Sequence, residues 1–221
     1  MIALLRAGAL LVNVFIFVGI PQELGAPGWA IGTGVTALFL LCRRACRTCP
    51  PGTDAPDELH AEASLLAIRM GVKPPAFLRM LPGWTAGAVA NRTSYGLLLG
   101  TDVEARHRGA VLAHEIAHVK MRDLWWEPLT DGPLRLLIGV ARRLPIFYVI
   151  VFPFALFGVP LARATELAAD EIAARFVPTY PVILQEVASL VPRRESLLYP
   201  SLARRIRHAA RHSLQEPRKG K

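Results

Sequence analysis

The sequence predicts an α+β fold, mostly helical with a small sheet, attached to an N-terminal hairpin of two transmembrane helices. Two apolar runs open the chain, at residues 1–20 and 28–42. Short strand-like runs follow between residues 76 and 99, flanked by runs with helical periodicity. With 221 residues, 52% of them hydrophobic, the chain has room for one domain beside its membrane segments. Its composition is too apolar for an ordinary soluble domain.

The hairpin prediction rests on the two apolar runs and the charges around them. The first run carries one charge, Arg6, and is long enough to cross a bilayer. The turn at residues 21–27 contains Glu23 but no lysine or arginine, whereas three arginines lie between residues 43 and 47. This asymmetry predicts a multi-pass protein of the cell membrane with the rest of the chain in the cytoplasm. A cleaved signal peptide is the alternative, but the second apolar run follows at once.

The domain boundaries follow from composition. Residues 1–49 are predicted to form the transmembrane hairpin and a basic juxtamembrane segment, and residues 50–56 a linker. Residues 57–214 are predicted to be the folded domain, and residues 215–221 a disordered basic tail. The domain is expected to start with a helix over residues 57–70. Three strands are expected to follow, over residues 76–81, 85–90 and 95–99.

The net charge of +9 suggests an anionic partner. Nucleic acid is not expected, because the sequence has no stripe of interleaved aromatic and basic residues. With apolar spans in the same chain, the head groups of anionic lipids are the expected counter-charge.

The strongest motif is a His-Glu-x-x-His sequence formed by His114, Glu115 and His118. It lies in a run without glycine or proline that is expected to continue as a helix to about Pro128. Residues four apart lie on one face of a helix, so both imidazoles can face one ion with Glu115 beside it. Two nitrogen ligands, an open position for water and a carboxylate base are what a zinc hydrolase needs. The alternative is two histidines that fall four apart by chance.

A third metal ligand must come from elsewhere in the chain. Metzincins have a histidine six residues after the motif, but Leu124 occupies that position. A later helix offers Glu166, the arrangement of gluzincins, with Asp170 on the same face. Asp170 can accept a hydrogen bond from a ligating imidazole and fix its tautomer, and Asp123 is a second candidate for that role. His107, two turns before the motif, is expected at the surface.

The two motifs together, His-Glu-x-x-His and the later Glu-x-x-x-Asp, resemble the M48 peptidases, the HtpX and Ste24 group of integral-membrane zinc metalloproteases. The resemblance extends from about residue 57 to residue 207. It includes an Ala-Val-Ala strand, a Leu-Leu-Leu-Gly run before the motif, and a Tyr-Pro…Arg-Ile pattern from Tyr199 to Ile206. The sequence departs from the family at Gly87, where the family usually has asparagine, and at Tyr199, where it usually has histidine.

The resemblance implies a zincin-like peptidase domain with one zinc ion per chain. The ligands would be His114, His118 and Glu166. Glu115 would take the proton of the attacking water, and Arg205, or more weakly Tyr199, would stabilise the oxyanion. A weak edge strand would hold an extended substrate by β-augmentation. Its residues would be Gly87, Ala88, Val89 and Ala90.

Residues 133–161 are predicted to associate with the membrane without a single crossing. Their first part mixes aliphatic residues with three arginines, and residues 144–161 are uncharged but contain three prolines. The predicted metal ligands flank this segment and must meet at one ion, so one crossing is excluded. We expect it to turn back near Pro153 or lie along the surface, packed against the hairpin. Residues 177–194, which contain further prolines, are expected to be irregular.

These features predict a membrane-bound zinc endopeptidase that cleaves membrane or membrane-proximal proteins, in quality control or in dedicated processing. Its expected partners are a protein or peptide substrate and the lipid bilayer. One alternative is a regulatory membrane metallopeptidase that cleaves a repressor, although residues 21–27 are too short for a sensor. The other is a membrane-surface interaction protein without enzymatic activity.

Overall fold

The computed structural model describes residues 1–23, 25–47, 51–90, 94–130, 148–190 and 199–213. The chain divides into two compact units. One comprises Met1–Thr48 and Trp125–Ala164, and the other Cys49–Leu124 and Thr165–Lys221. The predicted α+β class is confirmed, because helices predominate and one unit contains a small four-stranded sheet.

The first unit begins with helices α1 (Ile2–Glu23) and α2 (Gly28–Arg47). A short π-helical stretch, Phe15–Gly19, lies within α1. Among the described helices, α1 is the one that is long and apolar enough to cross a membrane, with a mean hydropathy of 2.2. The second apolar run, residues 28–42, therefore lies in the helix α2. That this helix crosses the bilayer stays a prediction.

Later parts of the chain pack against α1 within this unit. The side-chain amide of Asn13 donates a hydrogen bond to the carbonyl of Leu129, in helix α5 (Asp123–Thr130). The Phe157 ring, in helix α6 (Tyr148–Phe176), lies against Gly8, where a Cβ atom would meet it at 2.5 Å. This packing agrees with the expected association of the proline-containing segment with the N-terminal hairpin.

The predicted turn at Pro153 is wrong, because α6 continues through it as one helix. A proline in a helix removes one backbone hydrogen bond and favours a kink, but it does not require the chain to reverse. The part of the predicted membrane segment at residues 133–147 lies outside the described residues, as does the tail at residues 215–221.

The sheet of the second unit has the strand order β1-β2-β4-β3. Its strands are β1 (Thr53–Asp54), β2 (Phe77–Leu81), β3 (Ala86–Ala90) and β4 (Tyr95–Gly100). β2 and β4 run parallel, while β1 and β3 run antiparallel to their neighbours. All six residues of β4 are buried, and β3 forms an edge of the sheet. β3 and β4 both contact the helix that carries the His-Glu-x-x-His motif, α4 (Ala105–Lys120).

The predicted linker at residues 50–56 is not entirely a linker, because it contributes β1. Thr53 pairs with Met80, and Asp54 pairs with Arg79. A strand of two residues is too short to show a periodic pattern in the sequence, so β1 can be recognised only by its pairing with β2.

Three further helices complete this unit. They are α3 (Asp57–Arg69), α7 (Tyr180–Leu190) and α8 (Leu202–Ser213). α4 packs against α3 and α7, and α7 packs against α8. The expectation that residues 177–194 are irregular is wrong for the α7 part. Pro181 lies in the first turn, where a helix tolerates proline, and Tyr180, Leu184 and Val187 are buried at helical spacing.

His107 is fully buried in α4, although it was expected at the surface. Its Nε2 atom lies 2.9 Å from a carboxylate oxygen of Glu186, on α7. A polar side chain can be buried when a partner compensates for its lost hydration. This contact ties α4, which carries the His-Glu-x-x-His motif, to α7.

We predict that Gly100→Ala destabilises the sheet by about 1–3 kcal/mol, the usual effect of overpacking a tight site. A Cβ atom at Gly100 would meet the carbonyl oxygen of Gly83 and, at 2.6 Å, the amide nitrogen of Thr85. Both are backbone atoms, which cannot rotate away. The free energy of unfolding, measured by urea titration of detergent-purified protein, checks the prediction.

Gly87→Ala is the matched control. A Cβ atom there meets only the Leu98 side chain, at an ordinary 3.9 Å, so its stability should stay within about 0.5 kcal/mol of the wild type. Equal stabilities of the two variants would contradict the packing described for β4.

Candidate metal centre

Helix α4 presents the two motif histidines on one partly exposed face. Its opposite face is buried, with Leu112, Ile116 and Val119 in the core. His114 and His118 bring their Nε2 atoms within 3.3 Å of each other, with their rings nearly perpendicular. The predicted i, i+4 arrangement is therefore present.

Glu166, on α6, completes a group of three possible metal ligands. Its Oε2 atom lies 3.6 Å from His114 Nε2, and its Oε1 atom lies 3.6 Å from His118 Nε2. Zinc bonds of about 2.0–2.1 Å to nitrogen and oxygen give tetrahedron edges of about 3.3–3.4 Å. The two nitrogens and the two carboxylate oxygens are thus close enough for the three residues to share one ion of the zinc type.

Asp123 lies against His118 because the motif helix ends early. α4 stops at Lys120 rather than near Pro128, and Arg122 adopts a left-handed backbone conformation, with φ at 61°. The chain then starts α5 at Asp123, whose Oδ2 atom lies 2.9 Å from His118 Nδ1. An ion bound at Nε2 would leave the hydrogen on Nδ1, which would donate it to this carboxylate.

Asp170 lies behind the other imidazole, with its Oδ1 atom 3.2 Å from His114 Nδ1. It is fully buried and accepts hydrogen bonds from Arg205 Nε at 2.8 Å and Arg205 Nη2 at 2.7 Å. The hydroxyl of Tyr180 donates a third bond to Oδ1 at 2.6 Å. A carboxylate held this firmly fixes the orientation of the imidazole beside it.

Tyr180 is the residue of this site that the sequence reasoning missed. Its hydroxyl oxygen also lies 3.1 Å from His114 Nδ1, and the two rings stack. It lies in the stretch expected to be irregular. The helical spacing of Tyr180, Leu184 and Val187 was the signal that could have placed it on a buried helix face.

Arg205 is buried among carboxylates, with 2% of its surface exposed. Besides its two bonds to Asp170, its Nη1 atom lies 3.2 Å from Glu166 Oε2. This placement favours a role in positioning Glu166 and Asp170, rather than the predicted direct contact with an oxyanion.

Tyr199, the other predicted oxyanion donor, is 45% exposed and precedes α8. Its role stays a prediction.

Glu115 is partly exposed on α4, next to the first histidine. Within the described part of the chain, its carboxylate has no hydrogen bond or ion pair. A free carboxylate at this position is what a general base requires.

The predicted substrate strand, residues 87–90, lies in the edge strand β3, which contacts α4.

Comparison with known proteins identifies the family. The model of peptidase family M48 matches residues 93–213, which is more than half of the chain and includes both motifs. The chain belongs to peptidase family M48. No curated protein and no solved structure matches it. The protein is therefore a metallopeptidase, and the candidate metal ligands described above lie within the matched region.

The electrostatics of this M48 metallopeptidase favour positive charge between the two imidazoles and Glu166. Burial alone would raise the pKa of Glu166, but the hydrogen bond with His114 and the charge of Arg205 lower it to about 2. Burial would lower the pKa of His114, but its contacts with Asp170 and Glu166 raise it to about 9. The pKa of Asp170 is held well below its usual range, against burial, by Arg205 and His114. Two ionised carboxylates thus surround the site, as a cation requires.

We predict that Arg205→Ala lowers the stability of the M48 domain by about 3–5 kcal/mol, because it leaves the buried charge of Asp170 uncompensated. Arg204→Ala, at the adjacent exposed position of α8, is the control and should change stability by less than about 0.5 kcal/mol. Urea unfolding of both variants in detergent measures the difference. An unchanged free energy of unfolding in Arg205→Ala would show that Asp170 does not depend on the guanidinium.

Proposed function

We propose that this metallopeptidase is a membrane-bound, zinc-dependent endopeptidase of the HtpX and Ste24 type, which cleaves membrane or membrane-proximal proteins. One observation carries the proposal. The Nε2 atoms of His114 and His118 lie 3.3 Å apart and each is 3.6 Å from a carboxylate oxygen of Glu166, so that these three residues can share one ion, with Glu115, which has no partner among the described residues, next to His114 in sequence. This is the donor set of a catalytic zinc site, which keeps one position open for water.

In the proposed mechanism, His114, His118 and Glu166 would hold one zinc ion per chain. A bound ion would polarise the scissile carbonyl and make the attacking water easier to deprotonate. Glu115 accepts a proton from the attacking water and then donates it to the leaving amine nitrogen. Because Glu115 has no partner among the described residues, no existing bond must break before it acts.

The residues behind the ligands keep them in place. Asp123 and Asp170 each accept a hydrogen bond from the Nδ1 atom of one ligating imidazole, which leaves Nε2 free to bind the ion. Arg205 joins Asp170 to Glu166 and so limits the rotation of both carboxylates. Tyr199, exposed just before α8, is the candidate donor to the oxyanion.

The edge strand β3 is the proposed binding site for an extended substrate. Among the described residues, β3 pairs with β4 on one side only, so the backbone groups of its other side can pair with a peptide. Gly87 has no side chain and Ala88 only a methyl group, which leaves this backbone accessible. A substrate added as a further strand would be held by its main chain, which suits an enzyme that cleaves many sequences.

We expect Glu115→Gln to keep its zinc and to lose turnover by about 10²–10⁴-fold, because the amide cannot accept the water's proton. Glu166→Ala should lose zinc as well as activity. Zinc content and casein cleavage by detergent-purified protein, with and without a chelator, measure both effects. Glu62→Gln, at an exposed position of α3, is the control and should match the wild type.

Each outcome has a distinct meaning. Full zinc occupancy in Glu166→Ala would remove Glu166 from the ligand set. Normal turnover in Glu115→Gln would exclude it as the base. A wild-type protein without zinc and without cleavage would support the alternative of a membrane-surface interaction protein.

The proposed membrane anchor is α1, whose apolar side chains Leu11 and Phe15 are 69% and 64% exposed. Replacing both by arginine should release protein from membranes during alkaline carbonate extraction, because each charge costs about 2.5–3.5 kcal/mol at the centre of a transmembrane helix. The control carries Leu65→Arg and Ile68→Arg, at positions of α3 that are 63% and 58% exposed, and should stay in the pellet. Equal extraction of both variants would contradict anchoring by α1.

A further inference from the structure

A second cluster of potential metal ligands, distinct from the first, joins α6 to α8. It consists of Glu171 on α6 with His208 and His212 on α8. One ligand atom from each residue lies within 4.8 Å of the other two. We propose that this cluster is a second metal site, which binds a divalent cation of the zinc type and holds α8 against α6.

The distances at this cluster resemble those at the first. Glu171 Oε2 lies 3.5 Å from His208 Nε2 and 3.6 Å from His212 Nε2. The ring centroids of the two histidines are 4.9 Å apart, as are those of His114 and His118. Hydrogen bonds from nitrogen to oxygen are shorter, at about 2.7–3.2 Å, whereas edges of a zinc tetrahedron are about 3.3–3.4 Å. The separation therefore suits a shared ion better than a shared proton.

The orientation of the three side chains also suits an ion. Arg175 donates a hydrogen bond to the Oε1 atom of Glu171, which leaves Oε2 to face the two imidazoles. The Nδ1 atom of His212 is buried and has no partner among the residues that the structure describes. Nε2 is therefore the nitrogen through which His212 interacts, and a neutral imidazole with hydrogen on Nδ1 offers its lone pair there.

The chemistry of this site is structural rather than hydrolytic. Ala209 follows His208 in the sequence, whereas Glu115 follows His114, so the second cluster lacks the carboxylate base of the first. Two imidazoles and one carboxylate are ligands that zinc accepts, and water can complete the tetrahedron. Glu171 is adjacent to Asp170, and His208 lies one turn beyond Arg205. An ion here would fix the segments of α6 and α8 that bring Asp170 and Arg205 together.

The test is a zinc titration of the full-length protein in detergent, with stoichiometry measured by equilibrium dialysis and elemental analysis. We expect two ions per wild-type chain, one in Glu171→Gln and one in a His208→Ala, His212→Ala double variant. Arg211→Ala, at an exposed position of α8, is the control and should keep both ions. The second equivalent should also raise the unfolding temperature of the wild type but not that of Glu171→Gln.

Glu166→Ala separates this inference from the proposed function, because it should still bind one ion at the second site. A wild type that binds one ion, or a double histidine variant that still binds two, would overturn the proposal. Circular dichroism of each variant, including the near-isosteric Glu171→Gln, distinguishes loss of a ligand from loss of the fold. In the Glu166→Ala background, Co²⁺ binding with the absorption of a tetrahedral complex that is abolished by adding the double histidine substitution would give independent support.

Discussion

The buried ion pair of Asp170 and Arg205 is the interaction on which the metal centre depends. Asp170 is fully buried and Arg205 is 2% exposed, so each charge requires the other. The pair joins α6 to α8, Tyr180 adds α7 through its hydroxyl, and His114 adds α4 through Nδ1. Four helices from distant parts of the sequence thus meet at one carboxylate. Because an unpaired carboxylate there would be strongly unfavourable, the packing of these helices and the orientation of the His114 imidazole are set together.

The candidate ligands could be proposed from the sequence because their spacing is local. His114 and His118 lie four residues apart in one helix, and so do Glu166 and Asp170. Helical geometry alone places each pair on one face. Tyr180 and Arg205 could not be placed in this way. They contact Asp170 across 10 and 35 residues of sequence, and only the packing of separate helices brings them there.

The same difference, between local spacing and the packing of distant segments, explains the errors in the predicted fold. The strands β2, β3 and β4 were predicted close to their observed positions from apolar runs bounded by glycine and proline. Their order, with β2 parallel to β4 and β3 at the edge, depends on pairing that no single run encodes. His107 was expected at the surface because polar residues usually are. Its partner Glu186 lies in a helix far along the chain, which makes burial tolerable.

The break between α4 and α5 shows how the carboxylate of Asp123 reaches its histidine. In a continuous helix, five residues correspond to a rotation of about 140° beyond a full turn and a rise of about 7.5 Å. Asp123 would then project away from the face that carries His118. The left-handed backbone of Arg122, unfavourable by about 1–2 kcal/mol for a residue with a side chain, redirects the chain instead. The backbone conformation of a single residue thus brings the Asp123 carboxylate to His118, and a substitution that restored a straight helix would disturb the site without altering any candidate ligand.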